Sequence, residues 1–199
     1  MKEQIYIYDF DGTLTRRDSF PDFIRYARGG RSLFFGLLLF SPLLVLMKLQ
    51  LYSNGRAKER LFSYFFQGMS IRVFDDLCAK YGLSRADLLL DAARKAVNEV
   101  ASNGYRIFIV SASVDRWVLP FFRDVPNVTV IGTQIEVENG LVTGRFSTPN
   151  CYGAEKVRRI QALLPYREQY KLIAHGDSRG DKEMLNYADQ GYFRPFRRD

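Results

Sequence analysis

Asp9 and Asp11 stand two residues apart in "YIYDFDGTLT", where an apolar run rich in Ile and Tyr gives out. On a strand, side chains at i and i+2 point the same way, so the two carboxylates are expected to share a face while Phe10 turns into packing. Like charges this close require either a proton on one of them or a neutralising cation. Hard oxygen ligands in small number suit Mg²⁺, which keeps waters and accepts phosphate as a ligand. Three further stretches carry groups of matching chemistry. Ser111 closes an apolar run in "VSAS", Lys156 sits near a helix start in "GAEKV", and Asp177 and Asp181 follow "KLIA" in "HGDSRGD". A carboxylate nucleophile, a metal, a hydroxyl and a lysine together describe phosphoryl transfer through an aspartyl-phosphate.

For these groups to meet, the strands that end in them must lie side by side. "QIYIYDF", "YRIFIVSAS", "NVTVIG", "YKLIAHGDS" and "GYFRP" read as strands. Helices are predicted between them. "SRADLLLDAARKAVNEVASNG" runs from a Ser84 cap to Gly104, and "VDRWVLPFF" is broken near Pro120. "YGAEKVRRIQALL" is stopped by Pro165, and "RGDKEMLNYA" follows. This alternation implies right-handed βαβ units, hence an α/β fold with a Rossmann-like parallel sheet and helices on both faces. Ligands of such sheets sit beyond the carboxyl ends of the strands. "TQIEVENGLVTGRFS" predicts a β-hairpin turning at Asn139 and Gly140. From Asp18 to about Tyr81 the pattern is helical throughout, in "DFIRYAR", "RAKERLFSYFF" and "IRVFDDLCAKY". That stretch breaks the rhythm and predicts an inserted lid, residues 16–82, on a core formed by 1–15 and 83–199.

The composition, 47% apolar and 26% charged over 199 residues, is globular. A single histidine, His175, excludes a site built on several imidazoles, and it reads as a structural residue bonded to backbone. Cys78 and Cys151 show neither metal-ligand spacing nor a disulfide framework, and Cys151 reads as a packed thiol. No apolar run precedes the acids, so no signal peptide is expected and the setting is a reducing cytoplasm. The net charge of +7 is concentrated. Between Arg25 and Arg60 seven basic residues face Glu59 alone. Inside that segment, "SLFFGLLLFSPLLVLM" (residues 32–47) carries no charge and is apolar on every side. It falls short of the roughly 20 residues of a spanning helix and contains Pro42. Docking on an anionic membrane surface, at the inner face of the cell membrane, is the first expectation. Burial within the lid or in a dimer contact are the alternatives. No basic, aromatic-rich motif supports nucleic-acid binding.

"DFDGTLT", "VSAS", Lys156 and "GDSRGD", in that order, resemble the four motifs of the haloacid dehalogenase superfamily of phosphatases, across essentially the whole chain. The helical insert resembles that superfamily's type I cap. "ENGLVTG" resembles its phosphoserine-phosphatase-like branch, subfamily IB. "NCYGAEKV" and the apolar tract are similar to bacterial phosphatidylglycerophosphatase C and its relatives. The resemblance implies Asp9 as nucleophile and Asp11 as general acid, then base. It also implies Mg²⁺ on Asp9, the Asp11 main-chain carbonyl and Asp177, with Asp181 supporting metal waters and Ser111 and Lys156 gripping the phosphoryl group. Asp18 lies where that branch carries a substrate-contacting acid, and with Ser19 it could equally cap a helix. An acid at position 11 fits phosphate esters, whose alkoxide leaving group needs a proton. The expected activity is Mg²⁺-dependent hydrolysis of a phosphomonoester on a lipid head group such as phosphatidylglycerophosphate. A soluble phosphatase of small metabolites such as phosphoserine is the runner-up, and a non-catalytic membrane scaffold is the third reading.

Overall fold

The computed structural model describes residues 2–196. From strand β1 (Glu3–Tyr8) the chain passes through five helices. These are α1 (Ser19–Arg28), α2 (Gly30–Leu39), α3 (Ser41–Lys48), α4 (Asn54–Phe66) and α5 (Ile71–Ser84). It continues through α6 (Asp91–Ser102), β2 (Arg106–Val114), α7 (Asp115–Val118) and β3 (Val128–Thr133). The hairpin strands β4 (Ile135–Glu138) and β5 (Leu141–Phe146) follow. Last come α8 (Ala154–Leu163), β6 (Tyr170–Gly176), α9 (Lys182–Tyr187) and β7 (Gln190–Phe193).

Five strands form a parallel sheet in the order β3-β2-β1-β6-β7. Its central strand is apolar on both faces, with Ile5, Ile7 and Tyr8 all buried, as parallel sheets covered by helices require. Tyr8 lies opposite Ile109 on β2 and His175 on β6. The residues just past β1 and β6 and late in β2 therefore emerge at one edge. Alternation along β2 divides the core in two. Ile107 and Ile109 share a cluster with Ala93 and Val97 of α6 and with Trp117 of α7. Phe108 and Val110 share the other with Ile160 of α8 and Met184 of α9. Helices thus cover both faces of the sheet.

The helix expected from Ser84 begins instead at Asp91, because Ser84 ends α5. The backbone between is already paired with the chain leaving β1. Arg16 N–H donates to the Leu88 carbonyl (2.9 Å), Leu90 N–H donates to the Leu14 carbonyl (2.8 Å), and Thr15 and Leu89 form an antiparallel bridge. The two crossings between sheet and insert satisfy each other's polar groups, and a helix there would forfeit those bonds. Leu88 and Leu89 are apolar because they are buried at this crossing.

The hairpin turns at Asn139 and Gly140, both left-handed (φ 50° and 76°). It lies against the insert rather than against the sheet. Gly68 N–H donates to the Val142 carbonyl (2.8 Å), Val142 N–H to the Met69 carbonyl (2.9 Å), and Ile71 N–H to the Gly140 carbonyl (2.9 Å). Phe146 N–H donates to Glu59 of α4 (2.7 Å), and the Phe62 and Phe146 rings meet at 5.5 Å.

The uncharged tract becomes two helices, α2 and α3, that meet at 65° with Pro42 in the first turn of α3. Among the described residues no single helix is long and apolar enough to cross a membrane. The bent pair reaches the length and composition only when taken together.

Candidate active site

Asp9 leaves β1 with its backbone still on the sheet, its N–H donating to the His175 carbonyl (2.9 Å). The next residues fold into a tight turn in which Leu14 and Thr15 N–H both donate to the Phe10 carbonyl (2.9 and 3.1 Å). Gly12 occupies the left-handed region (φ 83°), and a Cβ there would sit 2.5 Å from Asp177 Oδ2. A side chain at position 12 would therefore push the β1 and β6 loops apart. The turn needs its glycine for both conformation and space.

Four sequence-expected groups converge beside this turn. Lys156 Nζ, only 1% exposed, donates to Asp9 Oδ1 (2.5 Å), Asp181 Oδ1 (2.7 Å) and the Val110 carbonyl (2.8 Å). Asp181 Oδ2 accepts from Asp177 N–H (3.2 Å), Ser178 N–H (3.0 Å) and Ser178 Oγ (2.8 Å). Thr13 Oγ1 lies 3.0 Å from Asp9 Oδ2 and 3.3 Å from Asp177 Oδ1, bridging the two acids. Carboxylate oxygens of Asp9, Asp177 and Asp181 come within 4.8 Å of one another. Three hard oxygen donors so close fit a divalent cation of the Mg²⁺ kind. Asp181, with both oxygens already engaged, is the most constrained of the three.

Asp11 is held by a separate network. Its Oδ1 accepts from Ser19 N–H (2.7 Å) and its Oδ2 from Ser113 Oγ (2.5 Å). Ser19 and Ser113 hydroxyls lie 3.1 Å apart, and Trp117 Nε1 donates to Ser19 Oγ (3.1 Å). Neither Ser19 nor Ser113 was among the site residues expected from sequence. For Ser113 the signal was present in "VSAS", since it lies two residues beyond Ser111. Ser111 itself is fully buried and its Oγ accepts Ser113 N–H (3.0 Å), while Ala112 is the residue of that stretch that lines the cavity. Asp18 meets its capping reading. It caps α1 by accepting Phe20 N–H (2.9 Å), and it lines the cavity.

That cavity, about 490 Å³, lies between the sheet edge and the insert. Asp9, Asp11, Lys156, Asp177 and Asp181 form its floor. Arg17, Asp18, Asn54 and Lys58 supply polar groups, and Phe20, Leu37, Leu44, Met47 and Leu61 an apolar wall. Asn54 Oδ1 is buried without a hydrogen-bond partner among the described residues. His175 stands outside the cavity lining. Its ring is stacked between Tyr8 (4.4 Å) and Tyr192 (5.1 Å), and its Nδ1 lies 3.3 Å from the Ile7 carbonyl. Cys151 is buried, with Sγ 3.7 Å from the Ile131 carbonyl.

Burial dominates the electrostatics of the floor. It pushes Asp9 up to about 7 against the opposing pull of the Lys156 ammonium. Burial also raises Asp11, helped by Asp18 and opposed by Lys58 and the two hydrogen bonds. For Lys156 burial acts downward, but Asp9 and Asp181 outweigh it and hold the ammonium charged. For Asp181 burial acts upward, and the Lys156 charge outweighs it, so this carboxyl lies below its ordinary value.

Fold and site define an α/β protein with a cation-suited acidic cluster and a buried lysine at the carboxyl edge of a parallel sheet. Residues 6–186 match the family model of the haloacid dehalogenase-like hydrolases, and the chain belongs to that family. It is 32% identical over 193 residues to Protein CicA of Caulobacter vibrioides, covering 96% of this chain and 85% of that one. It is 26% identical over 129 residues to phosphoserine phosphatase SerB2 of Mycobacterium tuberculosis, covering 62% of this chain and 29% of that protein. A solved phospho-aspartyl intermediate analogue of phosphoserine phosphatase superposes with a TM-score of 0.62 at 16% identity, covering 97% of this chain and 86% of that one. At that identity the likeness is one of fold.

Proposed function

We propose that the protein is a Mg²⁺-dependent phosphomonoester hydrolase that works through an aspartyl-phosphate on Asp9. Its substrate is a phosphorylated lipid head group, with phosphatidylglycerophosphate the specific choice. The observation that carries this reading is the cavity itself. It has a phosphoryl-transfer floor of Asp9, Lys156, Asp177 and Asp181 under an apolar wall drawn from α2, α3 and α4.

Asp9, Asp177 and the Asp11 main-chain carbonyl would hold Mg²⁺, which when bound draws charge from the phosphoryl oxygens, and Asp181 would orient its waters. An Asp9 carboxylate oxygen attacks phosphorus while the bond to the leaving oxygen breaks. The departing alkoxide takes a proton from the Asp11 carboxyl. Burial and the neighbouring Asp18 carboxylate both strengthen its hold on that proton. Asp11, now ionised, takes a proton from a water whose oxygen attacks the phosphorus of the aspartyl-phosphate. This step releases phosphate and restores the Asp9 carboxylate. Lys156 places its charge beside Asp9, and the "VSAS" strand end meets the cavity through Ala112, with Ser111 buried behind it and holding Ser113 N–H. We read residues 16–82 as a cap over a core of 1–15 and 83–199. In that cap Lys58 and Asn54 meet the polar head, and Leu37, Leu44 and Met47 meet apolar substrate. The setting that follows is the cytoplasmic face of the cell membrane.

A small-metabolite phosphatase is the second reading, favoured by the 26% identity to a phosphoserine phosphatase. Side-by-side assays of phosphatidylglycerophosphate in mixed micelles and phosphoserine in solution separate the two. Turnover is expected on the lipid, to be silenced by chelation and restored by Mg²⁺ but not Ca²⁺, which prefers more ligands and looser geometry. Asp9→Asn should abolish turnover with an unchanged circular dichroism spectrum. Preference for phosphoserine would install the second reading. Activity of Asp9→Asn above one-tenth of wild type would remove the nucleophile.

A further inference from the structure

We propose that the elbow formed by α2 and α3 docks in the headgroup layer of an anionic membrane leaflet, one face in lipid and the other over the cavity. Of α2 only Gly36 is buried, against Phe65, and of α3 no residue is buried. Phe34, Phe35, Leu38 and Leu39 are 60–62% exposed, and Val45 and Leu46 continue the surface. A helix facing water presents a polar side along its length, and these two carry polar side chains only at their ends, Arg31 and Ser32 on α2 and Ser41 and Lys48 on α3.

The geometry sets the depth. Helices of ten and eight residues are about 15 and 12 Å long, against about 30 Å of hydrocarbon. Bent by 65°, they lie in the interface rather than cross it. Charge chooses the occupant. Arg31 and Lys48 are exposed on the elbow, Arg25 approaches Gly30 at its start and Arg60 lies over Tyr52 just past its end, and none of the four is in an ion pair among the described residues. Arg28 is spent on the Phe65 carbonyl. A second copy of this chain would bring like charges face to face around the apolar patch, whereas an anionic leaflet complements them. The inner face of the same elbow, through Leu37, Leu44 and Met47, lines the cavity, so lipid held by one face is adjacent to the site served by the other. That last link rests on the lipid-phosphatase reading; docking does not.

Vesicle co-sedimentation tests it, with phosphatidylcholine vesicles carrying or lacking phosphatidylserine. The protein should bind the anionic vesicles at least about tenfold more tightly than the neutral ones, and added salt should narrow the gap. Phe35→Ser, Leu38→Ser and Leu39→Ser together should lose about tenfold or more of that binding. They should keep turnover of a soluble aryl phosphate, because none of the three lines the cavity. Should the triple variant fail to fold, Arg31→Glu with Lys48→Glu, both exposed, should lose binding to anionic vesicles selectively. Wild type that ignores vesicles, or variants that bind as wild type does, overturns the proposal. So does a wild-type dimer in sedimentation equilibrium that the triple variant abolishes while vesicles are ignored. Turnover of micellar lipid without vesicle binding would remove docking and leave the phosphatase reading in place.

Discussion

Asp11, the proposed proton donor, accepts two hydrogen bonds, from Ser19 N–H and Ser113 Oγ, that fix its position. Asp11→Asn keeps an acceptor for one of these donors and loses the proton. The variant should lose about 10²–10⁴-fold on alkyl phosphates, whose alkoxide cannot leave unprotonated. On an aryl phosphate it should still release a first equivalent of phenolate rapidly, then stall as phosphorylated enzyme for want of a base. Stopped-flow measurement of phenolate decides this, and equal loss of the first turnover on both esters would remove Asp11 as the acid. His175 makes a different prediction. Burial holds it down at about 4, while the unfolded chain takes up the same proton near 6.5. Between those values the unfolded state binds more protons, so stability falls as pH falls from about 6.5 to about 4, by at most on the order of 3 kcal/mol. A cation bound near Asp177 would act in the same direction. Asp9 and Asp11, raised by burial, act in the opposite sense in wild type and variant alike, so the urea midpoint of wild type relative to His175→Gln should fall between pH 7 and pH 5. An unchanged difference would show that acid instability comes from elsewhere.

Elements were legible from sequence where local pattern and tertiary demand agree. The acids at the end of β1, the Asn139–Gly140 turn and the Pro165 stop on α8 follow from short-range chemistry that nothing in the fold opposes. The stretch after Ser84 misled because a triple leucine reads as helix face. Its apolarity in fact serves a crossing whose partners, Leu14 and Arg16, lie more than 70 residues earlier in the chain. Ser19 was equally invisible as a site residue, since only the return of α1 over the sheet edge brings its N–H to Asp11. Leu44 reads in sequence as one of a uniform apolar run. The bend between α2 and α3 turns it to the cavity and leaves Leu38 and Leu39 outside. The hairpin's attachment to the insert also depends on distant residues, and Gly144 is where it is tightest. At φ 87°, a Cβ there would meet Ser63 Oγ of α4 at 2.5 Å. Gly144→Ala should cost about 1–3 kcal/mol, through the left-handed backbone and the displaced strand. Thermal melts read the loss, and turnover of a soluble ester per folded molecule should persist. An unaltered melting temperature would mean that the hairpin yields freely.

At the scale of the whole molecule, the insert and the sheet share one core. Phe23, Phe62, Phe66 and Phe74 from the insert belong to the same cluster as Phe10, Ile109 and Trp117 from the sheet side. Phe23 stacks on Trp117 at 4.9 Å, and Phe62 meets Phe146 of the hairpin at 5.5 Å. A fragment of residues 16–82 lacks two walls of that core and should show no cooperative melt by circular dichroism. A sharp transition would make the insert an autonomous domain. The hairpin gives this shared core a schedule. On the ribosome, residues 16–82 emerge before β5 exists, and at about 5–20 residues per second the wait for Phe146 is roughly 3–13 s. Throughout it the aromatic cluster is open on the side that Val142 and Phe146 will close, and the apolar elbow is already made. The nascent chain therefore presents its greasiest surface seconds before Lys156 and Asp177 of the cavity floor are synthesised, so a membrane or a chaperone can meet this protein before its site is complete.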